Sequence, residues 1–532
     1  MKALNLFFVL FIANLFSLAG FAQNPEPIQL SFEEISIAGA PALQSFVGTE
    51  YNGKWILLGG RTDGLHDHRP PFSFPANMAN DQIWMVDPNT ADVFSASVNS
   101  LPDNIQNQCL STNIEFERIG NHLIMLGGYG VDINTNTHTT HPVITRVDLA
   151  ALSSAMENNQ PITSAFESIT DNRFAVTGGY LGLIDDTLYQ VGGQNFVGRY
   201  NPMGGPSFTQ VYNEKIQKFT LSDPSQPLAI DSYEEWNDPN LLHRRDYNMK
   251  PHISTDGNQG LTAFTGVFRP NIDLPWFNTV DISSNGYQEN PNFEQKLNHY
   301  HSASVALHDA QANTMRTYFF GGIAMYYYDN NVLIEDSLVP FVKTVSLVTR
   351  DPNGQMTEDY ITDLDSYIGA GAEFLHATNL PEYSNGVIQL NPLPESGTVL
   401  GYIYGGIEST DPNIFMQATG SSVATNRIIK VTLSKSPLNV NNQFSKTKTP
   451  FVKLYPNPGQ GNVTVRFAST DLAVVNMSVH SLNGQLIDQW VQTFSPGSKT
   501  FELNTASLSA GNYLFTLSTG DYKKTIQFVI TK

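Results

Sequence analysis

Between residues 50 and 435 the chain repeats one phrase, an apolar run that stops at a glycine doublet. Trp55 to Leu58 stops at Gly59-Gly60, Leu123 to Leu126 at Gly127-Gly128, and Leu188 to Val191 at Gly192-Gly193. Tyr318 to Phe320 stops at Gly321-Gly322 and Tyr402 to Tyr404 at Gly405-Gly406. Leu261 to Phe264, followed by Thr265-Gly266, is a degenerate copy between the third and fourth doublets. A second apolar–polar run follows each copy: Ile83 to Val86, Thr145 to Leu149, Ile216 to Leu221, Asn278 to Ile282, Lys343 to Leu347 and Ile428 to Leu433. Alternation at period two buries one face of a strand. Asp-Pro pairs at 87–88, 223–224 and 351–352 mark turns after these runs. No apolar pattern of helical period is sustained beyond two or three turns, and only residues 148–157 are predicted as a short helix. Six ordered copies of a two-strand phrase predict a body of repeated antiparallel sheets.

The two ends follow other patterns. Lys2, an apolar stretch from Leu4 to Leu18 and Gly20-Phe21-Ala22 before Gln23 have the three parts of a secretory signal peptide, assigned to residues 1–22. No cysteine lies near its cleavage point, so a lipoprotein anchor is not expected, and no later segment has the length of a transmembrane helix. Near residue 440 the chain becomes polar, and 437–450 is assigned as a linker. Alternating strands then return around Val463, Met477, Tyr513 and Ile526, predicting a small β-sandwich over 451–532.

Two family resemblances rest on these residues. Leu454-Tyr455-Pro456-Asn457-Pro458, then Gly461, Asn483-Gly484, Leu508 to Tyr513 and Lys523-Lys524 resemble the type A C-terminal sorting domain of type IX secretion. That resemblance implies recognition by an outer-membrane translocon and removal by a sortase-like peptidase, leaving the mature body released or attached to the cell surface. Within it, Pro456 and Pro458 are expected to end a strand at an edge, and Gly484 and Gly511 to occupy turns of positive φ. The body resembles kelch repeats, although its spacing is uneven and longer than the ~50 residues of that family, and the later Trp of each kelch repeat is present once, as Trp84. The fold class expected is therefore all-β: a six-bladed kelch-like β-propeller over 27–436 and a C-terminal Ig-like β-sandwich.

Composition narrows the functions. The formal net charge is −20, which disfavours nucleic acid and anionic lipid as partners. Charged residues are 15% of the chain, an economy suited to an extracellular all-β surface. Cys109 is the single cysteine, so no intramolecular disulfide forms, and its thiol is expected to be buried and inert.

Candidate chemistry falls on four clusters. Leu242 to Tyr247 contains Arg244, Arg245 and Asp246; on a strand Arg244 and Asp246 would share a face, and an inward Arg could hold a carboxylate or instead cross-link blades. His299 and His301, at i and i+2 on a strand, would face one way, with His376 in the matching strand of the next blade. The loop Arg61 to His68 offers Arg61, Asp63, His66, Asp67 and His68. Tyr129, Phe196, Tyr200 and Tyr326 to Tyr328 offer aromatic faces suited to sugar stacking. Neither a cofactor nor a metal is assigned: the Cys–Tyr–His set of copper oxidases related to kelch propellers is missing, and no G-x-S-x-G, H-E-x-x-H or phosphate-binding glycine loop occurs. The expectation is a secreted or cell-surface protein binding carbohydrate or a surface protein. A glycan- or sugar-acid-active enzyme with its site in the channel is the alternative.

Overall fold

The tight corners and alternating runs fold as strands throughout a computed structural model of the chain, which describes residues 28–67, 73–201, 207–329, 332–395, 397–415, 420–435 and most of 451–531. The signal segment 1–22, the linker 437–450, His68, Pro456, Asn457, Pro458 and Gly484 lie outside the described residues. The chain divides into two compact units, Met1–Leu438 and Asn439–Lys532.

Among the described residues the first unit has nine sheets, and six of them share one plan; a further four-stranded sheet joins Tyr129–Val131, His138–Thr140, Gln194–Gly198 and Phe208–Tyr212. In sheet 1, Val47–Tyr51, Lys54–Leu58, Gln82–Val86 and Val93–Ser97 pair in chain order, each antiparallel to the last. Sheets 2 to 5 repeat this with first strands Glu115–Ile119, Tyr180–Ile184, Asn248–Ile253 and Ser304–Asp309, and sheet 5 adds a short fifth strand, Ile388–Gln389, parallel to its first. Sheet 6 takes three strands from the end of the unit, Glu373–His376, Thr398–Tyr404 and Ile428–Ser434. Its outer strand comes from the start of the unit: Gln29–Ile35 lies antiparallel on Ile428–Ser434, with Ser31 opposite Thr432.

Apolar faces of successive sheets pack against each other. Ile56, Leu58 and Met85 of sheet 1 meet Leu123, Met125 and Val147 of sheet 2. Sheets 2 and 3 share Ile124, Leu126 and Ile144 with Leu181, Leu188 and Phe219. Sheet 6 returns to sheet 1, where Leu375, Tyr404 and Ile428 pack on Phe46, Trp55 and Leu57. The first strands lie beside one another in the order 1 to 6, and the sixth beside the first.

Each glycine doublet sits between the second strand of a sheet and its excursion. Gly59 and Gly60 have φ of 62° and 79°, Gly127 and Gly128 67° and 102°, and Gly405 and Gly406 66° and 89°. The degenerate copy keeps this shape, with Thr265 at φ 47° and Gly266 at 97°. The second residue of each corner donates its N–H to a carbonyl just before the next sheet: Gly60 to Ser111, Gly128 to Val176, Gly193 to Arg244, Gly266 to His299, Gly322 to Ile368 and Gly406 to Leu43. Close approach at the same carbonyl explains the first glycine. A Cβ on Gly127 would stand 1.8 Å from the Val176 oxygen, and one on Gly321 2.0 Å from that of Ile368. Thr265 fits because its hydroxyl donates to the equivalent carbonyl of His299 at 2.7 Å.

Leu149–Glu157 is the helix predicted over 148–157, capped by the Asp148 carboxylate on the amides of Ala150 and Ala151. A second helix, Asp103–Cys109, had no legible period in its seven residues. Cys109 ends it fully buried, with burial pushing its thiol up to about 12.

Among its described residues the second unit has seven strands in two sheets. Phe451–Tyr455, Val463–Ser469 and Gly497–Leu503 form one, and Ala473–Ser481, Leu486–Phe494, Gly511–Thr519 and Tyr522–Ile530 the other. Val463, Val465 and Leu503 of the first share a core with Val475, Met477, Phe515 and Phe528 of the second. Gly511 corrects the turn expected there: it opens a strand without positive φ, and a Cβ on it would meet nothing closer than 3.8 Å. Tyr513 donates its hydroxyl to the carbonyl of Ser509.

Candidate functional site

Six residues that precede the first strands meet through their backbones. Ser45 donates its N–H to Gly371, Gly371 to His301, His301 to Asp246, Asp246 to Gly178, Gly178 to Asn113, and Asn113 back to Ser45, at 2.6 to 3.3 Å. Five of the six have φ between 50° and 68°, and His301 is the exception. The peptide groups thereby satisfy one another head to tail, and each side chain is left at a defined place around the ring.

Next to this ring lies a cavity of about 40 Å³, lined by Ser45, Asn113, Gly178, Asp246 and His301 with Glu115, Tyr180 and Glu373. Glu115 is 3% exposed. One carboxylate oxygen accepts from the Gly179 amide at 2.9 Å and from Gln190 at 3.3 Å, while the other has no partner. Burial pushes its carboxyl well above the ordinary range, with the bonds from Gln190 and Gly179 only partly offsetting it. His301 Nε2 stands 3.2 Å from Glu373 Oε1. Further along the first strands, burial holds Glu117 near 7 against the opposing pull of the Arg118 amide and the Lys250 charge. Burial also lowers Lys250, against Glu373 and Glu117.

The arginine cluster folds differently from its sequence expectation. Residues 242–247 are not a regular strand, and Asp246 turns through φ 50°. Arg245 therefore pairs with Asp246, its neighbour in sequence, and Arg244 does not. Arg245 also donates to the Tyr212 hydroxyl and lies over the Phe268 ring. Arg244 is fully buried over Trp276, donating to the carbonyls of Leu241, Thr265 and Asn278. Those bonds have a structural counterpart. Gln108 donates to Gly127 and Val143, and Asn298 to Gly321 and Thr344, at the same corners of sheets 2 and 5. Arg244 is thus the corner clamp of sheet 4 and has no free face for a ligand.

The histidine pair separates for the same reason, since 299–301 is not a strand. His299 is fully buried near Phe277 and Tyr326, accepting the Met325 amide at Nδ1 and donating from Nε2 to Gln295. Burial pushes it down to about 3, so it remains neutral. Of the pair, His301 alone lines the cavity beside the backbone ring. His376 bonds Glu382 at 2.6 Å and does not line that cavity.

A larger pocket of about 230 Å³ is lined mostly by the segments that follow the second strands of sheets 1 and 2. Arg61, Phe74, Tyr129, Asp132, Asn136 and His138 are among its lining. Arg61 is oriented by two bonds to Asp63, at 2.7 and 2.6 Å, and by the Phe74 face 5.2 Å away. His138 Nε2 donates to the Phe74 carbonyl at 2.7 Å, and the Tyr129 hydroxyl to that of Gly198. Rings continue outward: Phe74 to Tyr129 at 5.3 Å, Tyr129 to Phe196 at 5.2 Å and Phe196 to Tyr200 at 5.7 Å. Three aromatic residues singled out from sequence, Tyr129, Phe196 and Tyr200, are thus brought together. Tyr326 to Tyr328 lie apart on their own hairpin with Val332–Glu335. His66, offered as a metal ligand, stacks on Phe74 and is pushed down to about 4 by burial. Among the described residues no three His, Cys, Asp or Glu side chains gather as a metal site. Phe74, His138, Glu115, Glu117, Lys250 and Glu373 were not singled out in sequence; alternation at Glu115 and Glu117 on a first strand was the one available signal.

Residues 453–531 match the family described as the secretion system C-terminal sorting domain. That domain supports export by the type IX secretion system, to the cell surface or beyond it. No helix among the described residues is long and apolar enough to cross a membrane. Among curated proteins nothing matches the chain. A solved structure titled "Structure of YjhT" is similar over 75% of this chain and 100% of its own, at 13% identity and a TM-score of 0.43. A likeness at that level carries no argument about function.

Proposed function

We propose, with the sorting domain at 453–531 as the premise, that the chain is a secreted or cell-surface binding protein whose body recognises carbohydrate. In this reading residues 27–436 form a six-bladed kelch-like β-propeller. Gln29–Ile35 completes its last blade, and residues 451–532 form an Ig-like sandwich that the translocon recognises and a sortase-like peptidase removes. Six sheets of one plan, a core between each adjacent pair described above, and a backbone ring that returns to its start support that architecture.

The observation that carries the binding reading is the contrast between two cavities. The backbone ring leaves about 40 Å³ beside it, space for ordered water but not for a sugar. The pocket of about 230 Å³ approaches the ~300 Å³ at which small-ligand sites begin. It joins aromatic faces to a fixed guanidinium and an imidazole, the combination that stacks on a sugar ring and bonds its hydroxyls. Titration of the purified mature chain against a glycan panel tests this. A ligand is expected whose affinity drops at least tenfold in His138→Ala and Phe74→Ala variants of unchanged thermal midpoint. A panel with no ligand, or variants that bind as the parent does, contradicts it.

One observation favours the enzyme reading instead. Burial raises Glu117 to about 7 and lowers Lys250, and the charges of Glu117 and Glu373 both act on that lysine, the kind of coupling that serves proton transfer. Turnover of any glycan that Glu117→Gln abolishes, with binding retained, would move the site from the pocket to the axis.

A further inference from the structure

The four-stranded sheet of the C-terminal unit has two edges, and they are treated differently. Tyr522–Ile530 carries Lys523 and Lys524, the charge that blunts an edge against pairing. It is also partly covered: Gly459 donates to the Val529 carbonyl at 2.8 Å, and Thr531 donates to that of Gly459 at 2.9 Å.

The opposite edge, Leu486–Phe494, has none of this protection. Its nine residues, LIDQWVQTF, hold one charge, Asp488, and no Pro, Gly or Lys. One side pairs with Ala473–Ser481, with a bulge at Ile487 between the pairs Val479–Asp488 and His480–Leu486, and among the described residues no strand pairs with the other. Leu486, Ile487 and Val491 are 46%, 41% and 63% exposed, and Val474 on the adjacent strand is 56% exposed. Trp490 turns inward to the shared core. A long, nearly uncharged edge with apolar side chains on its open face is a template for strand addition, and a freely soluble domain ordinarily blunts one.

We propose that Leu486–Phe494 is the docking edge of this unit. It accepts an extended segment from a component of the secretion machinery, paired main chain to main chain, with apolar side chains against Leu486 and Val491. The proposal rests on export through the sorting domain. The family match gives the occupant its class, because a sorting domain is handled by another protein, whereas an edge that paired with a second copy would assemble the cargo before export.

The test is export of the full chain in a host with a type IX system. Removing residues 451–532 must abolish export; if it does not, the export reading itself fails, separately from this proposal. Val491→Lys and Ile487→Lys should each lower the exported fraction at least tenfold, with the chain accumulating inside the outer membrane. Val491→Thr, which keeps the strand uncharged, should be exported as the parent is. Equal thermal midpoints of the purified Lys variants and the parent separate docking from misfolding. Normal export of both Lys variants overturns the proposal. So does a purified parent chain that sediments as a dimer and that Val491→Lys converts to monomer, because the occupant is then a second copy.

Discussion

The amide of Ser45 donates at 2.8 Å to the carbonyl of Gly371, joining the first strand of sheet 1 to that of sheet 6. It is one of six equivalent bonds, and it has a counterpart further out where Gly406 donates to Leu43. Both tie residues from opposite ends of the first unit, and Gln29–Ile35 on Ile428–Ser434 is a third such tie. Pairing of this kind spreads the cost of closing the chain over three layers of hydrogen bonds and one apolar core.

The glycine corners should be graded by what stands over them. Gly127→Ala and Gly321→Ala place a methyl group inside the radius of a backbone carbonyl that cannot move without its sheet. A loss of roughly 3 kcal/mol or more is expected for each, in the range of the severe backbone and packing defects. Gly120→Ala has the same sign of φ and open space around it, so only the left-handed strain of about 1–2 kcal/mol applies. Denaturant midpoints of the three variants check the order.

Those corners were legible because close approach to a carbonyl selects a residue type. Thr265 broke the pattern on the page and kept it in space, since its hydroxyl replaces the contact that glycine permits. The central ring was not legible. It is built from main chain, so Ser45, Asn113, Gly178, Asp246, His301 and Gly371 share no side chain that could reveal their equivalence. The strand periodicity assumed for 242–247 and 299–301 failed at that ring, because positive φ at Asp246 and irregular backbone at 299–301 reset which side chains share a face. The pocket was legible in part: Arg61 and Tyr129 follow glycine doublets, whereas Phe74 and His138 come from excursions with no fixed offset from them.

Arg244 and His301 should separate stability from function. Arg244→Met leaves three carbonyls, that of Thr265 fully buried, without this donor, and a loss of about 3–5 kcal/mol is expected. His301→Ala removes a 3.2 Å contact to Glu373 from a partly exposed ring and should change the thermal midpoint little. Equal losses for the two would contradict the clamp role of Arg244.

Stability should depend on pH through Glu117. Its folded pKa, near 7, lies above the ~4.3 of the unfolded chain, so between these values the folded protein keeps a proton that the unfolded chain has lost. Its contribution to stability therefore falls as pH rises from about 4 to 7 and stays low above. Glu117→Gln removes that penalty. Its thermal midpoint should exceed the parent's at pH 8 and match it at pH 4, and a gain of equal size at both values would show that burial of the charge is not the cause.

Cross-linking Ser31 to Thr432 tests the closed ring of six sheets most directly, since the two residues stand opposite each other in the strand pair that joins the start of the first unit to its end. In a Cys109→Ala background, Ser31→Cys with Thr432→Cys should oxidise almost completely in the purified mature chain, migrate faster without reductant and raise the thermal midpoint. Free thiols at both positions in the folded protein would show that Gln29–Ile35 does not complete sheet 6, and the closed arrangement would have to be abandoned.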